Sequence, residues 1–142
     1  MTLNRKYINL DERIFLAGAS GMVGSSICSV LRKSGYGDKR NKGEILTPSR
    51  DKLDLLDTEA VFSWFKLNKP TIVILAAAKV GGIYANSNYP ADFIFQNLKI
   101  QNNVIEASWK NGIKRFLFLG SSCIYPKYAQ QPIKEESLLS GP

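Results

Sequence analysis

Short runs of contiguous apolar residues alternate along the chain with longer stretches in which apolar positions recur at helical spacing. Arg13 to Ala17 (RIFLA) reads as a strand that runs into the cluster Gly18-Ala19-Ser20-Gly21. From Met22 to about Ser34, Val23, Ile27, Val30 and Leu31 fall on one helical face, and Gly35 and Gly37 end that helix. Glu44 to Thr47 (EILT) predicts a second strand, closed by Pro48. Asp57 or Thr58 then caps a helix carrying Val61, Phe62 and Phe65, which stops before Pro70. Thr71 to Ala76 (TIVILA) is β-branched and apolar on both faces, as a buried parallel strand should be. Lys79 to Tyr89, with Gly81 and Gly82, reads as a loop; a long helix follows from about Ala91 to Asn111 and ends at Gly112. Arg115 to Leu119 (RFLFL) is a fourth strand, and the remainder to Pro142 is loop with one short helical turn.

The resulting β-α-β-α-β-α-β order predicts an α/β fold. Right-handed crossovers make the sheet parallel and place helices on both of its faces. The expected architecture is Rossmann-type, with four strands in the order 3-2-1-4, and the 142 residues form one domain. A complete doubly wound sheet has about six strands. The fourth strand, strongly apolar, lacks an outer neighbour in this sequence, so the sheet is expected to be incomplete, with later strands and a substrate domain absent. An apolar strand left at an edge invites self-association or a complementing chain.

Composition narrows the class. No apolar run approaches the ~20 residues that span a membrane, and Met1 to Arg13 lacks the apolar segment of a secretion signal, which predicts a cytoplasmic protein. Histidine is absent, so the chain supplies no imidazole, and Cys28 and Cys123 have no metal-ligand spacing; no metal site is expected. Both cysteines are expected to be free thiols, with Cys28 on the apolar side of the first helix. The net charge of +7 raises nucleic acid as a partner. The basic cluster Lys39, Arg40 and Lys42 sits in a polar connecting stretch, however, and no basic helix face stands out, so a nucleic-acid partner is not expected. A basic surface also suits a phosphorylated small molecule.

The chemistry lies where strands end. Gly18-x-x-Gly21-x-x-Gly24 bridges the first strand and helix: a tight turn, a close backbone approach to a pyrophosphate, and close helix-strand packing. Ser20, Met22 and Val23 belong to the same turn and the helix start, whose unpaired N–H groups and positive dipole end favour an anion. After the second strand the sequence reads Thr47-Pro48-Ser49-Arg50, with no acid to hold a ribose 2′-hydroxyl and with an arginine that can pair with a 2′-phosphate. NADP(H) is therefore the expected cofactor. The alternative for Arg50 is a surface ion pair with Asp51 or Asp54; those acids, with Asp57, lie where an adenine edge would rest, although helix capping explains Asp57 equally well. Ala76, Ala77 and Ala78 leave room for a cofactor across the third strand's end, or simply pack tightly. Ser121, Ser122 and Cys123 follow the fourth strand at the edge where open α/β folds bind ligands; turn formation and burial of a small thiol are the plain alternatives.

Gly18-x-x-Gly21-x-x-Gly24 together with Ser121-Ser122-x-x-Tyr125 resembles the extended short-chain dehydrogenase/reductases. The stretches Ala76 to Asn97 (AAAKVGGIYANSNYPADFIFQN), Leu119 to Lys127 (LGSSCIYPK) and Ser49 to Asp57 (SRDKLDLLD) are more specifically similar to the GDP-L-fucose synthase family. That resemblance implies a nucleotide-sugar enzyme that epimerises GDP-4-keto-6-deoxy-D-mannose at C3 and C5 and reduces C4 with NADPH. It implies that Ser121 hydrogen-bonds the C4 oxygen and that Cys123 is an acid/base for epimerisation, a task a tuned thiol can perform. It assigns Arg50 to the 2′-phosphate, Gly18, Gly21 and Gly24 to the pyrophosphate, and Asn97 to a cofactor contact or a structural role. The family's Tyr-x-x-x-Lys pair and second acid/base, a histidine, have no counterpart among these residues, and some members carry arginine where Ser20 stands. The chain alone is therefore expected to be inactive. The alternatives are a non-catalytic module binding NADP(H) or a partner, and another epimerase or dehydratase of the extended family.

Overall fold

A computed structural model describes residues 8–141. The part of the N-terminal reading that falls on residues 1–7, and the chain end at Pro142, lie outside the described residues. Four parallel strands, β1 (Arg13–Ala17), β2 (Glu44–Leu46), β3 (Ile72–Leu75) and β4 (Arg115–Phe118), alternate with α1 (Met22–Lys33), α2 (Thr58–Asn68) and α4 (Pro90–Lys110). This is the expected Rossmann-like layering. Asp57 caps α2 by accepting a hydrogen bond from the Ala60 N–H.

The strand order is β2-β1-β3-β4 and not the expected 3-2-1-4. The physical reason is burial. All four β3 residues are buried, which requires a ladder on each side and a helix layer on each face. A place outside the three-residue β2 would leave β3 at an edge; between β1 and β4 it is covered throughout. The outer flank of β2 is followed instead by a turn-rich segment, in which Lys52 N–H bonds Ser49 C=O and Leu53 packs into the core. The chain thus steps from β1 to β2, then returns across β1 to β3. Three crossovers of one hand, the first running in the opposite direction to the other two, put α1 on one face and α2 with α4 on the other.

The two cores reflect that split. Ile14, Leu16, Ile72 and Ile74 pack beneath Ile27, Cys28 and Leu31 of α1. Phe15, Val73 and Leu75 pack with Val61 and Phe65 of α2 and Val104 and Ala107 of α4. On this second face Asn103 is buried but satisfied: its amide donates to Leu55 C=O at 2.8 Å and its oxygen accepts from the Thr58 hydroxyl at 3.0 Å. Arg13 ties the amino ends together, bonding Asn68 C=O through two nitrogens and Glu44 at 2.6 Å.

One further difference concerns residues 79–89, expected as loop. They contain the short helix α3 (Ile83–Asn88), in which Asn86 donates to the carbonyls of Gly81 and Gly82 and Asn88 to that of Tyr84. Asparagine and glycine are poor helix formers, which hid the turn from a propensity reading. The C-terminal stretch holds two single 3-10 turns, Ser122–Ile124 and Glu135–Ser137, where one helical turn was expected. Strand β4 has the exposed outer edge foreseen for it, with Leu117 and Phe118 about half exposed.

Helix α1 packs very closely on the turn that follows β1. A Cβ on Gly24 would lie 2.0 Å from the Gly18 carbonyl oxygen, whereas one on Gly120 would meet nothing within 4 Å. Gly24→Ala should cost about 3 kcal/mol and lower the melting temperature on the order of 10 °C, while Gly120→Ala should change stability by less than about 0.5 kcal/mol. Thermal unfolding of the two variants side by side checks this.

Candidate functional site

The reversal of direction between β1 and β3 opens a crevice at their carboxyl ends, where ligands bind in open α/β sheets. A cleft of about 820 Å³ occupies that position. Its floor is Phe15 and Ala17. One side is formed by Gly18, Ala19 and Ser20 with Cys28 and Arg32 of α1, the other by Thr47 to Arg50 and Leu53 to Leu56. Ala77 to Val80, with Gln96 and Ile100 of α4, close the far end. The cleft therefore crosses the sheet edge from one face to the other.

Gly18 has a φ of +81°, and a Cβ there would come 2.6 Å from the Ala76 carbonyl oxygen. Only glycine lets the turn cross so close to the end of β3. The turn is closed by Gly21 N–H bonding Gly18 C=O at 3.0 Å, and the buried Gly24 sets α1 directly on it. No side chain caps α1 at Gly21, and its first turn carries no acid. The first N–H groups of the helix are thus available to an anion. Met22 and Val23 have exposed side chains and lie outside the cleft lining.

The sequence-derived candidates divide by place. Gly18, Ser20, Arg50, Asp54, Ala77 and Ala78 all line the cleft, and Gly21, Gly24 and Ala76 shape its rim from behind. Among the described residues Arg50 has no ion pair. Asp51 turns to Ser49, whose hydroxyl holds its carboxyl below the ordinary aspartate range, with the Asp51 backbone N–H assisting. Asp54 accepts from Leu56 N–H at 3.0 Å. The surface pairing considered for Arg50 is not made, and its guanidinium is free to meet a ligand.

Asn97 does not line the cleft; it holds the segment that does. Its oxygen accepts from Lys79 N–H at 2.7 Å and its amide donates to Lys79 C=O at 3.0 Å, fixing the backbone just past Ala78. Ser121 and Cys123 sit after β4 on the same edge of the sheet, exposed and outside the cleft lining. Ser121 Oγ accepts from Cys123 N–H at 3.2 Å, so the two residues share one 3-10 turn. Cys28 is half-buried, and besides packing on the core it reaches the cleft.

A parallel α/β sheet with a glycine turn, an uncapped helix start and a cleft at its switch point defines a dinucleotide-type binding domain. The chain belongs to the NAD dependent epimerase/dehydratase family, whose model matches residues 14–142. It is 52% identical over 136 residues to the GDP-L-fucose synthase of Sinorhizobium fredii, covering 96% of this chain and 41% of that protein. The GDP-L-fucose synthase of Escherichia coli is 50% identical over 130 residues, covering 92% of this chain and 39% of the relative. Among solved structures, MlghC, a GDP-mannoheptose C4 reductase from Campylobacter jejuni with NADP bound, superposes with a TM-score of 0.83 at 38% identity, covering 94% of this chain and 40% of that one. The chain spans about two fifths of the length of the curated relatives it matches.

Arg32 is one of several lining residues, with Lys79 and Gln96, that the sequence reading passed over. Its signal was present: it stands four residues after Cys28, on the same helical face. For Asn97 the geometry gives a direct test. Asn97→Ala would strip both backbone groups of Lys79 of their partners, at a cost of about 1–3 kcal/mol. Amide hydrogen exchange at Lys79 should then accelerate even without ligand; unchanged exchange would contradict the positioning role.

Proposed function

We propose that the chain is the cofactor-binding part of an NADPH-dependent GDP-L-fucose synthase, which epimerises GDP-4-keto-6-deoxy-D-mannose at C3 and C5 and reduces it at C4. The observation that carries this reading is identity of about one half to GDP-L-fucose synthases across nearly the whole chain. The switch-point cleft, lined by Gly18, Ser20 and Arg50, suits a phosphorylated dinucleotide in shape and charge.

In this reading residues 1–142 form the cofactor-binding domain. The pyrophosphate rests on the turn Gly18–Gly21 and on the first N–H groups of α1, at Met22, Val23 and Gly24. Arg50 pairs with the 2′-phosphate, and Thr47-Pro48-Ser49 places no acid at the strand end to repel it. Asp54 stands beside the adenine. Ala76, Ala77 and Ala78 let the cofactor pass close over β3, and Asn97 holds Lys79 in register beneath it. When bound, NADPH supplies the hydride for C4. Ser121 holds the C4 oxygen by a hydrogen bond, and Cys123 takes and returns a proton at a carbon beside the keto group, where the carbonyl acidifies the C–H.

The GDP-sugar pocket is completed, in this reading, by chain matching the remaining length of the relatives or by a separate complementing chain. No helix among the described residues is long and apolar enough to cross a membrane, and both cysteines are free, in keeping with a cytoplasmic setting. A second reading, a partner-binding module, is favoured by the half-exposed Leu117 and Phe118 of β4 together with exposed Phe95, Ile105 and Trp109 of α4. Gel filtration separates the two: a dimer or larger species supports self-association, and a clean monomer counts against it.

The cofactor assignment is tested by fluorescence titration of the purified chain. NADPH should bind saturably and more tightly than NADH, and Arg50→Gln should weaken NADPH by about tenfold while sparing NADH. Binding of neither cofactor would remove the reading. The chain by itself should form no GDP-L-fucose, since no tyrosine in it is followed four residues later by lysine.

A further inference from the structure

We propose that Arg32 is a second specificity-determining residue for the adenosine 2′-phosphate, acting from the opposite side of the cleft to Arg50. The inference rests on the reading of this cleft as an NADP(H) site and goes beyond it by assigning a residue that no glycine motif or strand-end rule would select.

Three cations line the cleft: Arg32, Arg50 and Lys79. Lys79 is already engaged, its ammonium lying 5.1 Å from the centre of the Phe93 ring. Arg32 and Arg50 make no ion pair among the described residues, whereas the nearby acids are committed: Asp51 to Ser49 and Asp54 to the Leu56 N–H. The two guanidiniums come from different elements. Arg32 belongs to the last turn of α1, and Arg50 to the loop after β2.

The direction of α1 explains how a residue of its last turn lines a cleft at its first. Helical side chains lean toward the helix N-terminus, and the N-terminus of α1 lies at the carboxyl edge of the sheet. A long side chain at position 32 is therefore directed back along the helix, past Cys28, toward the ligand edge. Charge supplies the second reason. A phosphomonoester carries about −1.5 to −2 at neutral pH, more than one guanidinium neutralises. Ser20, on the same side as Arg32, is small and neutral, so it neither competes for the phosphate nor fills the space.

The probes are 2′,5′-ADP and NADPH, with 5′-AMP and NADH as their counterparts lacking the 2′-phosphate. Binding is measured by titration to wild type, Arg32→Gln, Arg32→Lys and Arg50→Gln, each checked for native circular dichroism. Arg32→Gln should raise the Kd of 2′,5′-ADP and NADPH about tenfold and leave 5′-AMP and NADH within about twofold. Arg32→Lys, which keeps a point charge, should recover part of the loss. If Arg50→Gln weakens 2′,5′-ADP but Arg32→Gln does not, the inference fails and the cofactor reading stands. If Arg32→Gln weakens all four ligands alike, Arg32 shapes the cleft and does not read the phosphate, and the inference again fails. If wild type binds none of them, or binds NADH as well as NADPH, the cofactor reading falls and takes the inference with it.

Discussion

The close approach of α1 to the β1/β3 junction is the constraint on which the rest of the molecule depends. Gly24 sits where any side chain would strike the Gly18 carbonyl, and Gly18 sits where any side chain would strike Ala76. Two absent Cβ atoms thus set three elements at one point. Because α1 is held there, its uncapped first turn lies at the crevice between β1 and β3, and Cys28 and Arg32 farther along it line the cleft. Moving α1 outward by the width of a methyl group would open the apolar layer of Ile14, Leu16, Ile72 and Ile74 beneath it.

The opposite face is held by a different chemistry. There α2 and α4 pack on Phe15, Val73 and Leu75, and Asn103 stitches α4 to both Leu55 and Thr58. A buried amide with both ends satisfied fixes the register of a helix more narrowly than apolar contact does, because sliding it would leave polar atoms without partners. Asn97, almost two turns earlier on α4, applies the same device to Lys79. One helix therefore positions both the loop after β2 and the segment after β3, the two borders of the cleft that α1 does not supply.

Charge is distributed to match. The acids near the cleft are occupied by short local bonds within the loop after β2, while the arginines on either side are not paired. At the far, amino-terminal end of the sheet the reverse holds, with Arg13 spent on Asn68 and Glu44 to join the strand starts. The cleft consequently combines two arginines that make no ion pair among the described residues with the turn Gly18 to Ser20 that leads into the uncapped start of α1. Family membership and the NADP-bound Campylobacter jejuni reductase agree in kind with a site of that character.

Local pattern determined much of this. The four strands, the helix with Val23 and Ile27, the Asp57 cap and the glycine turn follow from periodicity and from residues with one conformational use, and none needs a distant partner to be read. The acid-free Thr47-Pro48-Ser49 and the following Arg50 were legible for the same reason. The strand order was not, because the burial of β3 on all sides is a property of its neighbours, which chain order alone does not name. Helix α3 escaped because asparagine side chains bonding backward offset weak propensity only once the turn exists. The service of Asn97 to Lys79 and the reach of Arg32 into the cleft are also tertiary facts: each depends on where a helix lies against the sheet, and that is settled by packing at Gly18, Gly24 and Ala76.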